Sequence, residues 1–153
     1  MQNLKQVIAH AEKHCINNGS RLTLKRQRVL SGLVLSKRAL SAYELIDFCK
    51  KEFGETLQPM SIYRILEFLK DQELVHKLDL LNKYVACEHI NCNYKHLVSQ
   101  FLICVKCQKV KEIHIDKSVM TGLQRNVEKV GFCLDSPQLE MNCICDACIS
   151  SQA

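Results

Sequence analysis

Two thiol pairs share one spacing: Cys104-Val-Lys-Cys107 and Cys145-Asp-Ala-Cys148. Two intervening residues let a single turn of backbone present both sulfurs to one ion. Two such pairs supply the four thiolates of a closed tetrahedral zinc site. The 37 residues between the pairs are more than a compact zinc ribbon uses, so distant elements must be brought together by the fold. The rival chemistries are a redox pair and buried free thiols. A redox pair normally precedes a helix in a βαβ unit, whereas Cys104 sits between the strand-like segments FLIC (101–104) and VKEIHI (110–115). The sequence therefore predicts structural zinc held by Cys104, Cys107, Cys145 and Cys148.

A second set of metal-binding residue types lies around the middle of the chain: His76, Cys87, Glu88, His89, Cys92, His96, Glu112 and His114. A lone histidine is usually a surface or core residue, but a cluster of such groups changes the expectation. His76 lies in a hairpin of the first half, while Cys87 and His96 flank the start of the second. One ion held by all three would bridge two halves. The other thiols, Cys15, Cys49, Cys133 and Cys143, are expected in cores or strands, with Cys143 also near enough to Cys145 to be a spare ligand.

The elements that position these groups follow from charge and periodicity. Residues 1–83 hold 14 Lys/Arg against 9 Asp/Glu and two of the ten cysteines; residues 84–153 are balanced at 7 against 7 and hold the other eight. This predicts two domains, 1–83 and 84–153, joined by a hinge at about 77–84. No apolar run approaches the ~20 residues of a membrane span, and the N-terminus lacks a signal peptide's apolar centre. The expectation is a cytosolic protein in which clustered thiols bind metal.

In the first half, Leu4, Val7, Ile8, Ala11 and Cys15 recur at helical spacing over residues 3–17. Thr23 can cap a second helix, Ser41 and Glu44 fit a capping box for a third, and Pro59 suits the first turn of a fourth. ELVHKLDL and KYVAC then read as strands around Leu81-Asn82-Lys83. Helices followed by a hairpin make a winged helix-turn-helix, whose last helix can enter the DNA major groove. Arg64 is the candidate base reader, because guanidinium can bond both acceptors of a guanine edge. Ser61 and Tyr63 would touch backbone or thymine methyl groups. In the second half, Asp116 or Ser118 can cap a helix to about Lys129, with Leu123, Val127 and Val130 packing it on a sheet. Gly131 ends it, and FCLDSPQLEMNCI returns as strand. The fold class is α+β: an N-terminal winged helix-turn-helix followed by a small α/β domain with a structural zinc site. No Ser/His/Asp arrangement or phosphate-binding loop is evident, and there are only five glycines. The sequence thus argues against an enzyme and predicts no small-molecule substrate and no membrane partner. The alternatives on these residues are a thiol oxidoreductase using Cys104 and Cys107 and a zinc-stapled interaction module.

YRILEFLKDQELVHK, the strand KYVAC, a later histidine and the two cysteine pairs together resemble the ferric uptake regulator superfamily, over roughly residues 4–148, and within it the zinc uptake regulator branch. RLTLKRQRVL resembles the family's second-helix motif, with Leu24 in place of a usual proline. The resemblance implies a dimeric, metal-dependent repressor of palindromic operator DNA. It assigns structural zinc to the four paired cysteines and a regulatory zinc to His76, Cys87, His96 and Glu112, about two ions per subunit. It also matches Tyr43 and Arg64 to base-contacting positions. Gln108 replaces the glycine that usually follows the first pair. One extra residue between Cys87 and the Cys104 strand brings His89 into competition with His96, and Cys92 is also close. A mixed sulfur, nitrogen and oxygen set suits zinc better than iron, which weighs against a sister sensor of another metal or of peroxide.

Overall fold

A computed structural model describes residues 3–91 and 98–151. Cys92 and His96 lie outside the described residues. The chain divides into two compact units, Met1–Cys92 and Asn93–Ala153.

The first unit begins with four helices: α1 (Leu4–Asn17), α2 (Leu24–Ser36), α3 (Ala42–Phe53) and α4 (Pro59–Asp71). Their ends follow local chemistry. The Asn3 side chain accepts from Lys5 N, and that of Thr23 from Arg26 N. Ser41 and Glu44 form the expected reciprocal box, with Ser41 N donating to Glu44 Oε2 at 2.8 Å and Glu44 N to Ser41 Oγ at 3.2 Å. Gly54 closes α3 in the left-handed region at φ 64°, where a side chain would be strained. α2 packs against α1, α3 and α4, and Val29, Leu30, Leu33, Leu45, Ile62, Leu66 and Leu69 fill the space between them. At the outer end of this core the Arg26 guanidinium stacks 3.6 Å from the centre of the Phe68 ring, fastening α2 to α4.

The wing is an antiparallel hairpin of β1 (Val75–Leu78) and β2 (Lys83–Ala86), with His76 opposite Val85. The turn is residues 79–82, with Asn82 at φ 50°, so Lys83 belongs to the strand rather than to the turn. Glu73, expected in the first strand, instead takes φ 59° and ends the helical segment before it. Leu40 adds a third rung: Leu40 N donates to Tyr84 O at 3.0 Å and Tyr84 N to Leu40 O at 2.8 Å. The expected boundary at 83–84 and hinge at 77–84 therefore fall inside the first unit. The cause is pairing: these residues are held by the β1–β2 ladder and by Leu40, and the division comes at Cys92 and Asn93.

The second unit is a three-stranded sheet of order β4-β3-β5, with β3 at Ser99–Cys104, β4 at Val110–His114 and β5 at Glu140–Cys143. β3 and β4 are antiparallel, β3 and β5 parallel. Helix α5 (Lys117–Lys129) makes the crossover, and the short α6 (Asp146–Ser150) follows β5. Two expectations are corrected. The strand expected from Phe132 forms only at Glu140–Cys143; the segment before it contains Pro137, which has no N–H for a ladder, and Phe132 is 72% exposed. α5 has no buried residue: Leu123 and Val127 are half-buried and Val130 is exposed. Its apolar side is not consumed by the sheet of its own chain.

Glu44 links two parts of the first unit, since Lys83 of β2 also reaches its carboxylate at 3.4 Å. The Ser41 backbone N–H, then the Lys83 charge, hold its pKa below the usual 4.5. A folded-state pKa lowered in this way adds stability above pH ~4.5 that is lost as pH falls through the folded value. Glu44→Ala should cost about 1 kcal/mol at neutral pH. In urea titrations the gap between the two proteins should close as the solution is taken below pH 4.5. A gap constant across that range would exclude a role for the ionised carboxylate.

Candidate metal centres and nucleic-acid face

The four-cysteine cluster is built by strand register. Cys104 ends β3 and turns sharply: Gln108 N donates to Cys104 O and Cys104 N to Lys109 O, both at 2.9 Å. That turn carries Cys107. Parallel pairing sets Cys143 beside Cys104, and Val105 N donates to Cys143 O at 2.9 Å. Two residues on, Cys145 caps α6, and Cys148 sits in its first turn with its N–H on Cys145 O. The four sulfurs lie within 4.8 Å of one another. All four cysteines are free, and Cys107 Sγ is 3.6 Å from Cys145 Sγ. That is far beyond a disulfide bond of about 2.05 Å. It is close to the ~3.8 Å edge of a tetrahedron with zinc–sulfur bonds of about 2.3 Å.

Charge makes the same point. Cys104 Sγ accepts the backbone N–H of Cys145 at 3.4 Å. This bond, followed by the N–H of Cys107, brings the Cys104 thiol down to about 6. Cys148 is pushed up to about 12, first by hydrogen bonding to Cys145 and then to Cys107. Crowded thiols can share one thiolate, but each further ionisation meets the charge already there. A divalent cation removes that conflict, and the donor set fits zinc. Cys143 is not among the converging groups. Cys15 and Cys49 are buried in the helical core, where burial raises both thiols and takes Cys49 to about 11. Cys133, expected in a core or strand, is exposed outside any strand.

His76 and Cys87 are the second convergence, within the first unit. His76 is on β1, and Cys87 directly follows β2 with its N–H on Leu74 O at 2.9 Å. A ring nitrogen of His76 and Cys87 Sγ lie within 4.8 Å. Cys87 is 3% exposed, and its sulfur accepts the His89 backbone N–H at 3.4 Å. Glu112, in the second unit, is 4% exposed on β4, where the Ser99 hydroxyl donates to its Oε1. Ser99 escaped the sequence reading. The β3–β4 register pairs Phe101 with Glu112 and so makes Ser99 its diagonal neighbour; only a known register could have revealed it. His114 is exposed, opposite Ser99.

The candidate base-reading residues lie on α3 and α4. On α4 the side chains of Ile62, Ile65, Leu66 and Leu69 are buried. The 3.6-residue period then turns Tyr63 and Arg64 outward, with Ser61 half-buried. Tyr43, in the first turn of α3, is 63% exposed. Tyr43, Tyr63 and Arg64 are thus all exposed.

A winged helix joined to a small α/β unit that gathers four cysteines defines a metal-linked DNA-binding class. Residues 17–142 match the model of the ferric uptake regulator family, and the chain belongs to that family. It is 35% identical to the zinc uptake regulation protein of Escherichia coli (strain K12) over 149 residues, 97% of this chain and 85% of that one. Among solved structures, a zinc uptake regulator complexed with zinc and DNA matches with a TM-score of 0.83, 31% identity and 99% coverage of both chains. Holo XcZur matches with a TM-score of 0.79, 32% identity and coverage of 97% of this chain and 99% of that one.

Gln108 shows why its position favours glycine: it sits at φ 61°. A side chain there costs about 1 kcal/mol. Gln108→Gly should therefore stabilise the second unit by up to about 1 kcal/mol, read as a higher unfolding midpoint. An unchanged or lower midpoint would show that the Gln108 side chain offsets its backbone strain.

Proposed function

We propose that the protein is a zinc-responsive transcriptional repressor, binding palindromic operator DNA as a homodimer and controlling zinc uptake genes. The observation that carries this reading is likeness over 99% of both chains to a regulator complexed with zinc and DNA. The family consists of regulators, not enzymes. A thiol oxidoreductase is further disfavoured because Cys104 and Cys107 converge with two more thiols. Among the described residues no helix is long and apolar enough to cross a membrane, and free thiols suit the reducing cytoplasm.

In this reading Cys104, Cys107, Cys145 and Cys148 hold structural zinc. His76, Cys87, His96 and Glu112 hold regulatory zinc, with His89 and Cys92 as alternative ligands. Two ions per subunit follow. Bound zinc supplies a fixed centre that its ligands must all meet. His76 and Cys87 belong to the reading unit; Glu112 belongs to the other and is oriented by Ser99. Meeting at one centre would select the orientation in which two recognition helices match half-sites roughly 34 Å apart. Tyr43, Ser61, Tyr63 and Arg64 then face the groove, and the basic charge of residues 1–83 opposes the phosphates. The second copy has a surface to cover: α5 has no buried residue, and Val119, Val130 and Phe132 are exposed.

A zinc titration of duplex binding, using the site the protein selects from a random pool, tests the switch. A 100-fold gain in affinity corresponds to about 2.8 kcal/mol of coupling, and DNA must tighten regulatory zinc binding equally. His76→Ala and Cys87→Ser should lose most of that gain while keeping structural zinc. Arg64→Ala should weaken binding by about 1–3 kcal/mol with the zinc dependence intact. Full zinc-dependent binding by both His76→Ala and Cys87→Ser would sink the regulatory assignment. Cys145→Ser should lose one zinc and destabilise the second unit, whereas Cys143→Ser should keep its full zinc content by metal analysis.

A further inference from the structure

α4 carries one large apolar side chain that neither the core nor the assigned contacts use. Met60, in its first turn, is 69% exposed. Helical spacing places it on the same outward face as Tyr63 and Arg64, opposite the buried Ile62, Ile65, Leu66 and Leu69. Folding gives no reason for it. A methionine left in water at a helix start contributes no burial, and the macrodipole would favour an acidic residue there. α4 has no acidic residue in its first turn and no side-chain cap. The N-terminal residues of a recognition helix are those that reach base edges. In the major groove the one apolar feature is the thymine 5-methyl group. An unbranched thioether can adapt to such a methyl.

We infer that Met60 is a specificity residue that reads a thymine methyl in each operator half-site. The inference rests on the DNA-binding function proposed above and adds a base to what α4 reads. Burying one methyl against Met60 corresponds to about fourfold in affinity.

The test uses the full-length zinc-loaded protein, with Met60→Ala and Met60→Leu. Alanine suits an exposed helical position, and zinc content with thermal unfolding confirms that each variant is folded. Each protein selects duplexes from a random pool. Thymines of the wild-type site are then replaced singly by deoxyuridine, which removes only the methyl. The expected result is one thymine per half-site where deoxyuridine weakens the wild type by about fourfold. Met60→Ala should no longer distinguish the two bases there, and Met60→Leu should still do so. Equal weakening of wild type and Met60→Ala, or no effect at any thymine, overturns the inference. If the wild type enriches no sequence, the DNA-binding function falls with it; if wild type and Met60→Ala enrich the same thymines, only the role of Met60 falls.

Discussion

The parallel pairing of β5 against β3 is the constraint on which the second unit depends. It sets Cys143 beside Cys104 and so delivers Cys145 and Cys148 to the turn that carries Cys107. A slip of one residue would move the second pair by about 3.3 Å and turn alternate side chains to the other face. The thiols cannot tolerate that shift and still converge. Nor can the strand pair easily do without the thiols. Among the described residues of this unit, those fully or nearly buried are Ser99, Gln100, Phe101, Ile103, Cys104 and Glu112, half of them polar. A core of that size stabilises a unit of about 60 residues only weakly. Gln100 is satisfied by the loop before β5, donating to Pro137 O and accepting from Leu139 N, so its polarity also fixes where β5 docks. Sheet register, buried amide and cysteine cluster thus specify one another.

The helical unit solves a different problem with ordinary means. Its core is apolar and continuous from α1 to β2, and its helix ends are set by short-range chemistry. The legibility of the sequence follows this difference. The capping box at Ser41 and Glu44 and Pro59 at the start of α4 act within four residues, so spacing alone revealed them. The two cysteine pairs were also legible, because ligand spacing is local even when the site is not. What spacing could not reveal was long-range. β5 joins the sheet parallel to β3 across a helix, Leu40 extends the wing, and Ser99 meets Glu112 through a register. The unit boundary was misplaced for a related reason. Charge composition changes near residue 83, but hydrogen bonding keeps the wing with the helices as far as Cys87. For α5, the apolar stripe was read correctly, but its partner was taken to be the sheet of the same chain.

The two proposed metal centres differ in what they ask of the fold, and that difference separates a staple from a sensor. All ligands of the four-cysteine cluster come from one unit and converge through backbone register. Binding there needs little reorganisation, and backbone N–H groups already stabilise thiolate at Cys104. The proposed regulatory set is divided, with His76 and Cys87 on the wing and Glu112 on the sheet of the other unit. An ion binding there must also supply the free energy that fixes one unit against the other, so its apparent affinity is lower by the population of the competent arrangement. The cost that weakens zinc binding is also the coupling that makes DNA binding depend on zinc. A site wholly inside one unit could bind more tightly but would have no leverage over the recognition helices. Dividing the ligands between the units would therefore give the proposed sensor its leverage, whereas a cluster confined to one unit can act only on the stability of that unit.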